Sequence, residues 1–481
     1  MQRLSLDRRS LWQAGGVQIL GMLVFVVLAE LLAGAIPLDT SSALLLPIGI
    51  ILALVPAALW IGFFYAQDRR EPEPLHFVLG VAVLGGLVAI AVGQPLITSG
   101  FATASWIGRD QLTTLLGSIL VIGIVQAAMI YATIRFSIAY STEFDRRVDG
   151  VVYGTAAGIG YATAINLLAI FASGGFVDLS AGIVRIVITA LEFGAIGGLL
   201  GYFIARGRFD DEPAWWMPLG VAIAAIINGL FAWLSGELSR TTIALRPGAV
   251  SGYSGWPALA LAALLSVIVL GVTYYMLQQL ESGEAETPQI NANDRTTLLL
   301  TIALVIVALA AGYGLKQSVE GRVNRAPAAD GVVFAYPDGW RFDTSDAANA
   351  TLSARDIVSP SYPTSITLRW VPVQAGEDNV AAFKRASREL AIAHARELTM
   401  YRPTEDPATI PIRGDVGTAL SYAFIANGGA LQSRIPAVVL GEDRLLRKGD
   451  RVYIFSLQAA EANLSQAYAS LDTTIAQTIL P

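Results

Sequence analysis

The sequence of 481 residues contains no cysteine and only two histidines, His76 and His394. The absence of cysteine excludes disulfide bonds, thiol nucleophiles and thiolate metal sites. Neither histidine lies inside a long apolar run, and the first lysine of the chain is Lys316. Chemistry in the apolar part of the chain is therefore restricted to carboxylates, amides and hydroxyl groups, and we expect no cofactor and no bound metal.

Charged residues are also scarce, because they make up 15% of the chain whereas a soluble domain has about 25%. The deficit is confined to residues 1–315, which read as long apolar runs, while residues 317–481 resemble an ordinary globular sequence. The two parts require different solvents. The composition therefore predicts a polytopic all-α transmembrane bundle followed by a C-terminal α+β domain, and nothing in it indicates nucleic-acid binding.

A membrane span needs about 20 mostly apolar residues. Segments of this kind number about nine, at residues 16–36, 43–66, 75–97, 113–135, 150–173, 181–205, 216–236, 255–279 and 296–315. The first is longer than a signal-peptide core and more spans follow it, so we interpret it as a retained helix. The predicted domains are residues 1–280 for the main bundle, 281–330 for a linker with the ninth span and a polar tether, and 331–481 for the soluble domain.

Arginine in the short loops predicts the orientation, because cytoplasmic loops are enriched in basic residues. Arginine pairs occur before the first span and after the second, fourth and sixth spans, at Arg8 and Arg9, Arg69 and Arg70, Arg146 and Arg147, and Arg206 and Arg208. The loop 237–254, which contains Arg240 and Arg246, is the one exception. This alternation predicts a cytoplasmic N-terminus, nine crossings and an extracytoplasmic C-terminal domain.

Glycine is frequent in the fifth and sixth predicted spans, as in Gly154, Gly158, Gly197 and Gly201. Small residues at these spacings allow two helix backbones to approach closely in a membrane. We therefore predict tight packing of these spans, and glycine spacing by itself indicates no ligand.

Two segments beside the arginine pairs carry a family resemblance. The first, residues 68–75, reads Asp-Arg-Arg-Glu-Pro-Glu-Pro-Leu, and the second, residues 143–154, reads Glu-Phe-Asp-Arg-Arg-Val-Asp-Gly-Val-Val-Tyr-Gly. Together they resemble the PrsW family of bacterial intramembrane proteases, in the CAAX-protease-like superfamily, over roughly residues 45–280. The resemblance implies a multi-pass protein of a bacterial plasma membrane. Asp149 also has an architectural role, because a carboxylate near a helix start can accept a backbone N–H bond.

Proteolysis in such a family uses Glu-Glu-x-x-Lys on one span, Phe-x-x-x-Glu on the next, and two later histidine motifs. A carboxylate base activates water, and polar or metal-binding partners stabilise the oxyanion. In this chain the first motif falls on residues 126–130 (Gln-Ala-Ala-Met-Ile) and the second on residues 161–165 (Tyr-Ala-Thr-Ala-Ile). The histidine positions fall at Thr189 and Asn228. The resemblance thus predicts a protease scaffold that lacks the expected catalytic residues.

Any surviving activity would need a rebuilt site, for which the candidates are Glu192, Asn166, Asn228 and Gln126. An ionisable residue in the middle of a membrane is a functional candidate by default. Glu192 could equally be a hydrogen-bonded core group, paired with Arg185 about two turns away. The three amide side chains could simply form interhelical hydrogen bonds, each worth about 0.6 kcal/mol. Glu30, near the outer end of the first span, is expected to reach the membrane interface.

The C-terminal part predicts alternating strands and two helices. Strands are expected at residues 331–336, 365–370, 415–426, 433–440 and 451–457, and helices at 381–400 and 461–478. The opening strand with its Tyr-Pro-x-Gly-Trp turn, the late Val-Tyr-x-Phe strand and the final helix resemble PsbP-like domains of extracytoplasmic lipoproteins and photosystem accessory proteins. His394 stands alone on a charged helix face and is expected to be solvated. Trp340 and Trp370 are expected in the core.

The leading functional hypothesis is a catalytically inactive protease homologue that acts as a membrane sensor, binding protein or scaffold. One alternative is an active glutamate-type or metal-dependent intramembrane peptidase with a rebuilt site. A lesser alternative is a transporter, which would show broken helices or inverted repeats. The expected partners are the lipid bilayer and a membrane protein or peptide.

Overall fold

The computed structural model describes residues 19–29, 31, 42–67, 74–103, 106–107, 110–172, 179–240, 256–280, 293–319, 322–343, 351–356, 362–426, 437–460 and 464–481. The chain forms two compact units. The first comprises Met1–Thr103 and Thr114–Leu315, and the second comprises Ala104–Thr113 and Lys316–Pro481. Glu30 and most of the first arginine motif, residues 68–73, lie outside the described residues.

The first unit is built from apolar helices. They are α1 (Ile19–Ala29), α2 (Ser42–Gln67), α3 (Leu75–Gly100), α4 (Gln111–Ser137), α5 (Arg147–Ala172), α6 (Leu179–Phe209), α7 (Trp216–Arg240), α8 (Trp256–Leu280) and α9 (Asp294–Val319). Within the described residues, seven of them, α3 to α9, are long and apolar enough to cross a membrane. The predicted membrane bundle is confirmed, and the total of nine spans stays a prediction.

Glycine determines how α5 and α6 pack. A Cβ atom added at Gly154 would collide with the carbonyl oxygen of Gly197, and one at Gly158 would collide with that of Phe193. Near the arginine-rich end, Gly201 makes the same kind of contact with Gly150. The two backbones touch over this stretch of both helices, so the predicted close packing is confirmed.

Asp149 organises the start of α5. Its carboxylate accepts hydrogen bonds from the backbone N–H groups of Asp145 (3.0 Å) and Arg146 (2.6 Å). Asp149 is the third residue of the helix, so the side chain reaches back over the first turn, as the acidic residue of a capping box does. The bonds satisfy donors that the helix ladder cannot reach, and the architectural role predicted for Asp149 is confirmed.

The second unit contains an α+β domain. Strands β1 (Val323–Pro327) and β2 (Val333–Pro337) form a small antiparallel sheet. The larger sheet has the order β3-β4-β5-β10-β9-β8-β6, with β7 paired to β8, and all of its pairings are antiparallel. Its strands are β3 (Arg341–Asp343), β4 (Thr351–Arg355), β5 (Ser365–Pro372), β6 (Arg402–Pro403), β7 (Ala408–Ile412), β8 (Asp415–Ala426), β9 (Ala437–Lys448) and β10 (Arg451–Ala460).

Two helices pack on opposite faces of the larger sheet, α10 (Asn379–Glu397) and α11 (Leu464–Gln477). Phe455 packs with the α11 cluster, whereas its neighbour Ile454 packs with the α10 cluster. Successive residues of a strand point to opposite faces, which explains this division. Trp340 and Trp370 pack against the α11 core, as expected.

Two details of the sequence interpretation are wrong. The segment 317–330, expected to be a polar tether, contains the end of α9 and all of β1. The strand expected at residues 433–440 is described from Ala437 and continues to Lys448, through the charged run Glu442-Asp443-Arg444. Alternation of apolar residues stops at this run, so periodicity could not predict the rest of β9.

Candidate functional site

The centre of the bundle contains a hydrogen bond between α4 and α7. The Nδ2 group of Asn228 donates to Oε1 of Gln126 over 2.8 Å, and both side chains are buried. Close approach of the helices makes this bond possible, because a Cβ atom at Gly123 would collide with the carbonyl oxygen of Ala225. Gly123 ends a π-helical turn of α4, Ser118–Gly123, and such turns are frequent at functional sites.

A second polar contact joins α5 and α6. The Thr189 hydroxyl lies 3.0 Å from Oδ1 of Asn166 and 2.5 Å from the carbonyl oxygen of Arg185, so its single proton has two acceptors within reach. Nδ2 of Asn166 donates to the carbonyl oxygen of Ile186 over 3.4 Å. Asn166 is buried. Its amide is therefore used on both its donor and its acceptor side within the helix pair.

Glu192 is the one carboxylate in the interior of the spans that the structure describes, and it is 7% exposed. Glu192 follows Thr189 by three residues and precedes Phe203 by eleven. In an α-helix these two spacings place the three side chains on one side of α6. Phe203 packs against Gly220 of α7. Within the described chain, no hydrogen bond or ion pair joins the Glu192 carboxyl to another residue. Arg185, the partner considered from the sequence, is exposed.

The structure therefore brings the candidate residues together in two separate pairs. Gln126, expected at a family carboxylate position, is bonded to Asn228, expected at a histidine position. Thr189, expected near the other histidine position, contacts Asn166, which follows Ile165. Amides and hydroxyls of this kind donate and accept hydrogen bonds but do not take up a proton near neutral pH.

Comparison with known proteins shows which family the membrane region resembles. Residues 73–270 match the family model described as "PrsW family intramembrane metalloprotease". The membrane region is similar to the PrsW family. Protease PrsW of Bacillus subtilis is 23% identical over 189 residues, which cover 39% of this chain and 82% of that protein. Protease PrsW of Geobacillus kaustophilus is also 23% identical, over 38% of this chain and 76% of that protein. The resemblance predicted from the two arginine motifs is confirmed.

Two solved structures show partial similarity to this chain. Cyanobacterial PsbP from Synechocystis is 15% identical, with a TM-score of 0.25, over 34% of this chain and 94% of that chain. LpqN of Mycobacterium tuberculosis, described as involved in cell envelope biogenesis, is 14% identical, with a TM-score of 0.24, over 33% and 89% of the two chains.

The residues present at the bundle centre do not fit a catalytic metal ion. Protein ligands for zinc are cysteine, histidine and carboxylate side chains, and a catalytic site uses three of them. Among the residues described, no group of three or more such side chains is close enough to hold a metal. His76 is exposed at the start of α3.

The expectation for His394 in the soluble domain is wrong. The side chain is 6% exposed, and its Nε2 atom lies 2.8 Å from Oδ2 of Asp443 in β9. The rings of Tyr401 and Tyr422 flank the imidazole, with centroids 5.7 and 4.5 Å away. Burial raises the pKa of the Tyr422 hydroxyl above its ordinary value, and the charge of Asp443 adds to this effect.

A sequence signal for the buried histidine did exist. Phe383, Leu390 and His394 follow the i, i+7, i+11 spacing of one helix face, and all three are buried. The partner Asp443 could not be predicted, because it lies in the part of β9 that lacks apolar alternation. The pair connects α10 to the sheet, and we interpret it as structural.

The amide pair predicts a measurable coupling. We expect Gln126→Met and Asn228→Leu each to destabilise the bundle, because each leaves one buried amide without its partner. The double variant should be more stable than the sum of the single effects implies, by about 0.6 kcal/mol and at most about 1.7 kcal/mol. Unfolding in mixed micelles measures this, and strictly additive effects would contradict the hydrogen bond.

The buried histidine predicts a large effect in the soluble domain. His394→Leu should lower the free energy of unfolding by about 3–5 kcal/mol, because it leaves the Asp443 carboxylate buried without its partner. Arg396→Leu, on the exposed side of the same helix, should change it by less than about 0.5 kcal/mol. Chemical unfolding of the full chain distinguishes the two variants. Equal, small effects would show that His394 is solvated after all.

Proposed function

We propose that this protein is a non-proteolytic PrsW-like membrane protein that binds a membrane protein or peptide, with its soluble domain as the sensing or binding module. The observation that carries the proposal is the pairing of the substituted residues. Nδ2 of Asn228 donates to Gln126, and Oδ1 of Asn166 lies 3.0 Å from the Thr189 hydroxyl, while Oδ1 of Asn228 is buried without a partner. A site for peptide hydrolysis would instead direct such groups toward water and substrate.

The chemistry required for hydrolysis supports this proposal. Enzymes lower a reaction barrier by at least about 8 kcal/mol, and peptide hydrolysis needs a base, a positioned water and stabilisation of an oxyanion. In the described spans, Glu192 is the single interior group able to act as a base, and no interior histidine or lysine accompanies it. A binding or scaffolding role needs only the bundle and a surface on it.

The orientation proposed for the protein also has support in the first unit. One pocket is lined by the C-terminal ends of α4 and α6 and by the N-terminal ends of α7 and α9. With one crossing per helix, these four ends lie on the same side of the membrane. The arginine alternation assigns that side to the cytoplasm, which leaves the soluble domain outside.

The alternative function is an active intramembrane peptidase with Glu192 at a rebuilt site. The burial of Glu192 among helices that carry Asn166 and Asn228 favours it, because a carboxylate in mid-membrane is costly and persists where it has a role. This alternative requires a water molecule beside Glu192.

The two functions predict different results in proteoliposomes. We expect no cleavage of single-pass substrates above the level of empty liposomes, with Protease PrsW of Bacillus subtilis as the positive control for the assay. Cleavage that is lost in Glu192→Gln and kept in Asp211→Asn, an exposed acidic residue outside the spans, would overturn the proposal and establish the alternative.

The proposed orientation has its own test. Alkaline phosphatase, which folds only outside the cytoplasm, should be active when fused after Pro481 and inactive when fused after Asp211, in the connection between α6 and α7. Activity at both sites, or at neither, would contradict the three crossings that α7, α8 and α9 make between them, and the reverse pattern would contradict the orientation.

A further inference from the structure

One end of the bundle contains a pocket that the proposed function does not use. Its volume is about 280 Å³, and it lies between the end of α4, the end of α6, the start of α7 and the start of α9. Its lining includes apolar side chains, among them Phe203, Ile204 and Met217, and charged groups, among them Arg135 and Arg208. A pocket of this mixed character at the end of membrane spans lies at the depth where lipid headgroups meet acyl chains.

Three of the four charged groups in the pocket wall have an ionic partner. Asp294 accepts two bonds from Arg135, at 2.8 and 2.9 Å, and a third from the Tyr140 hydroxyl at 2.7 Å. Glu212 forms an ion pair with Arg206. Both partners of each ion pair belong to the protein, so the two carboxylates have little remaining capacity to bind a cationic ligand.

Arg208 differs from the other three. Its guanidinium donates to the backbone carbonyl oxygens of Ala139 and Ser141, which are neutral, and within the described residues no carboxylate lies within ion-pair distance of it. In addition, the Nε–H groups of both Arg135 and Arg208 are buried without an acceptor. Buried donors normally have a partner, so the pocket wall retains donors without acceptors, and Arg208 is its one charged group without an ionic partner among the described residues.

We propose that the pocket binds an anionic phospholipid, with the phosphate at Arg208 and the upper acyl chain against Phe203 and Met217. Guanidinium groups match the geometry of phosphate oxygens and bind them in water-poor sites. A lipid is favoured over a soluble phosphate compound because the apolar wall needs an apolar partner. The surrounding aromatic residues also fit a membrane interface, since Tyr140 and Trp215 are exposed there and such residues are enriched at headgroup level.

A substitution at Gly207 can fill the pocket without changing the charge of the pocket. It lies in the pocket wall on α6, and a Cβ atom added there would meet no other atom within 4 Å. Gly207→Ala should therefore be accepted, and Gly207→Leu should place a larger side chain in the cavity. Neither substitution removes the bonds that Arg208 makes to the end of α4, so loss of folding is not the expected cause of any effect.

The test measures thermal unfolding of the full chain in neutral detergent, with phosphatidylglycerol, phosphatidylcholine or soluble glycerol phosphate added. A ligand that binds only the folded state raises the melting temperature. We expect phosphatidylglycerol to raise it by several degrees and the other two to have little effect. The apparent affinity for phosphatidylglycerol should fall at least about tenfold in Arg208→Gln, as loss of a charge-assisted hydrogen bond implies, and in Gly207→Leu.

Two control variants make the result specific. Gly207→Ala should keep the response to phosphatidylglycerol, and so should Arg185→Gln, which removes an exposed arginine elsewhere on α6. Equal stabilisation by phosphatidylcholine, an equal effect of glycerol phosphate, or an unchanged response in Gly207→Leu would overturn the proposal. The outcome does not depend on whether the protein cleaves peptides, so it tests this site separately from the proposed function.

Discussion

The backbone contact between α5 and α6 is the interaction on which the bundle depends. At Gly154 and Gly197 the two main chains touch with no side chain between them, and the contact repeats at Gly150 and Gly201. In a membrane, apolar burial does not drive helices together, because lipid tails are as apolar as leucine. Close van der Waals packing provides the stabilisation instead. The contact brings α5 and α6 into register and thereby places Asn166 opposite Thr189.

The same solvent explains the composition of the polar centre. A polar group in hydrocarbon must find its hydrogen-bond partner inside the protein. Gln126 accepts a hydrogen bond from Asn228 at 2.8 Å in keeping with this rule, although Oδ1 of Asn228 is buried without a partner. Glu192 departs from this rule, since it is buried and has no bonded partner in the described chain. Glu192 is therefore the residue whose substitution tests whether the protein is an active peptidase.

The soluble domain is stabilised differently, by apolar packing between a sheet and its helices. Its sheet is covered by one helix on each face, and strand alternation assigns Phe455 to one core and Ile454 to the other. The buried His394 and Asp443 connect α10 to the sheet within this layered arrangement. The rings of Tyr401 and Tyr422 flank the imidazole, and we interpret the buried pair as a structural element despite its polar character.

The sequence by itself determined that this chain has a membrane part and a soluble part, because apolar run length and charge content follow directly from composition. It also determined the PrsW resemblance and the lack of interior histidine, cysteine and lysine, which no tertiary arrangement can alter. Only the tertiary structure decided which polar residues meet. Gln126 and Asn228 are 102 residues apart, and His394 and Asp443 are 49 apart. Such contacts depend on which helices and strands become neighbours, and local periodicity carries no information about that choice.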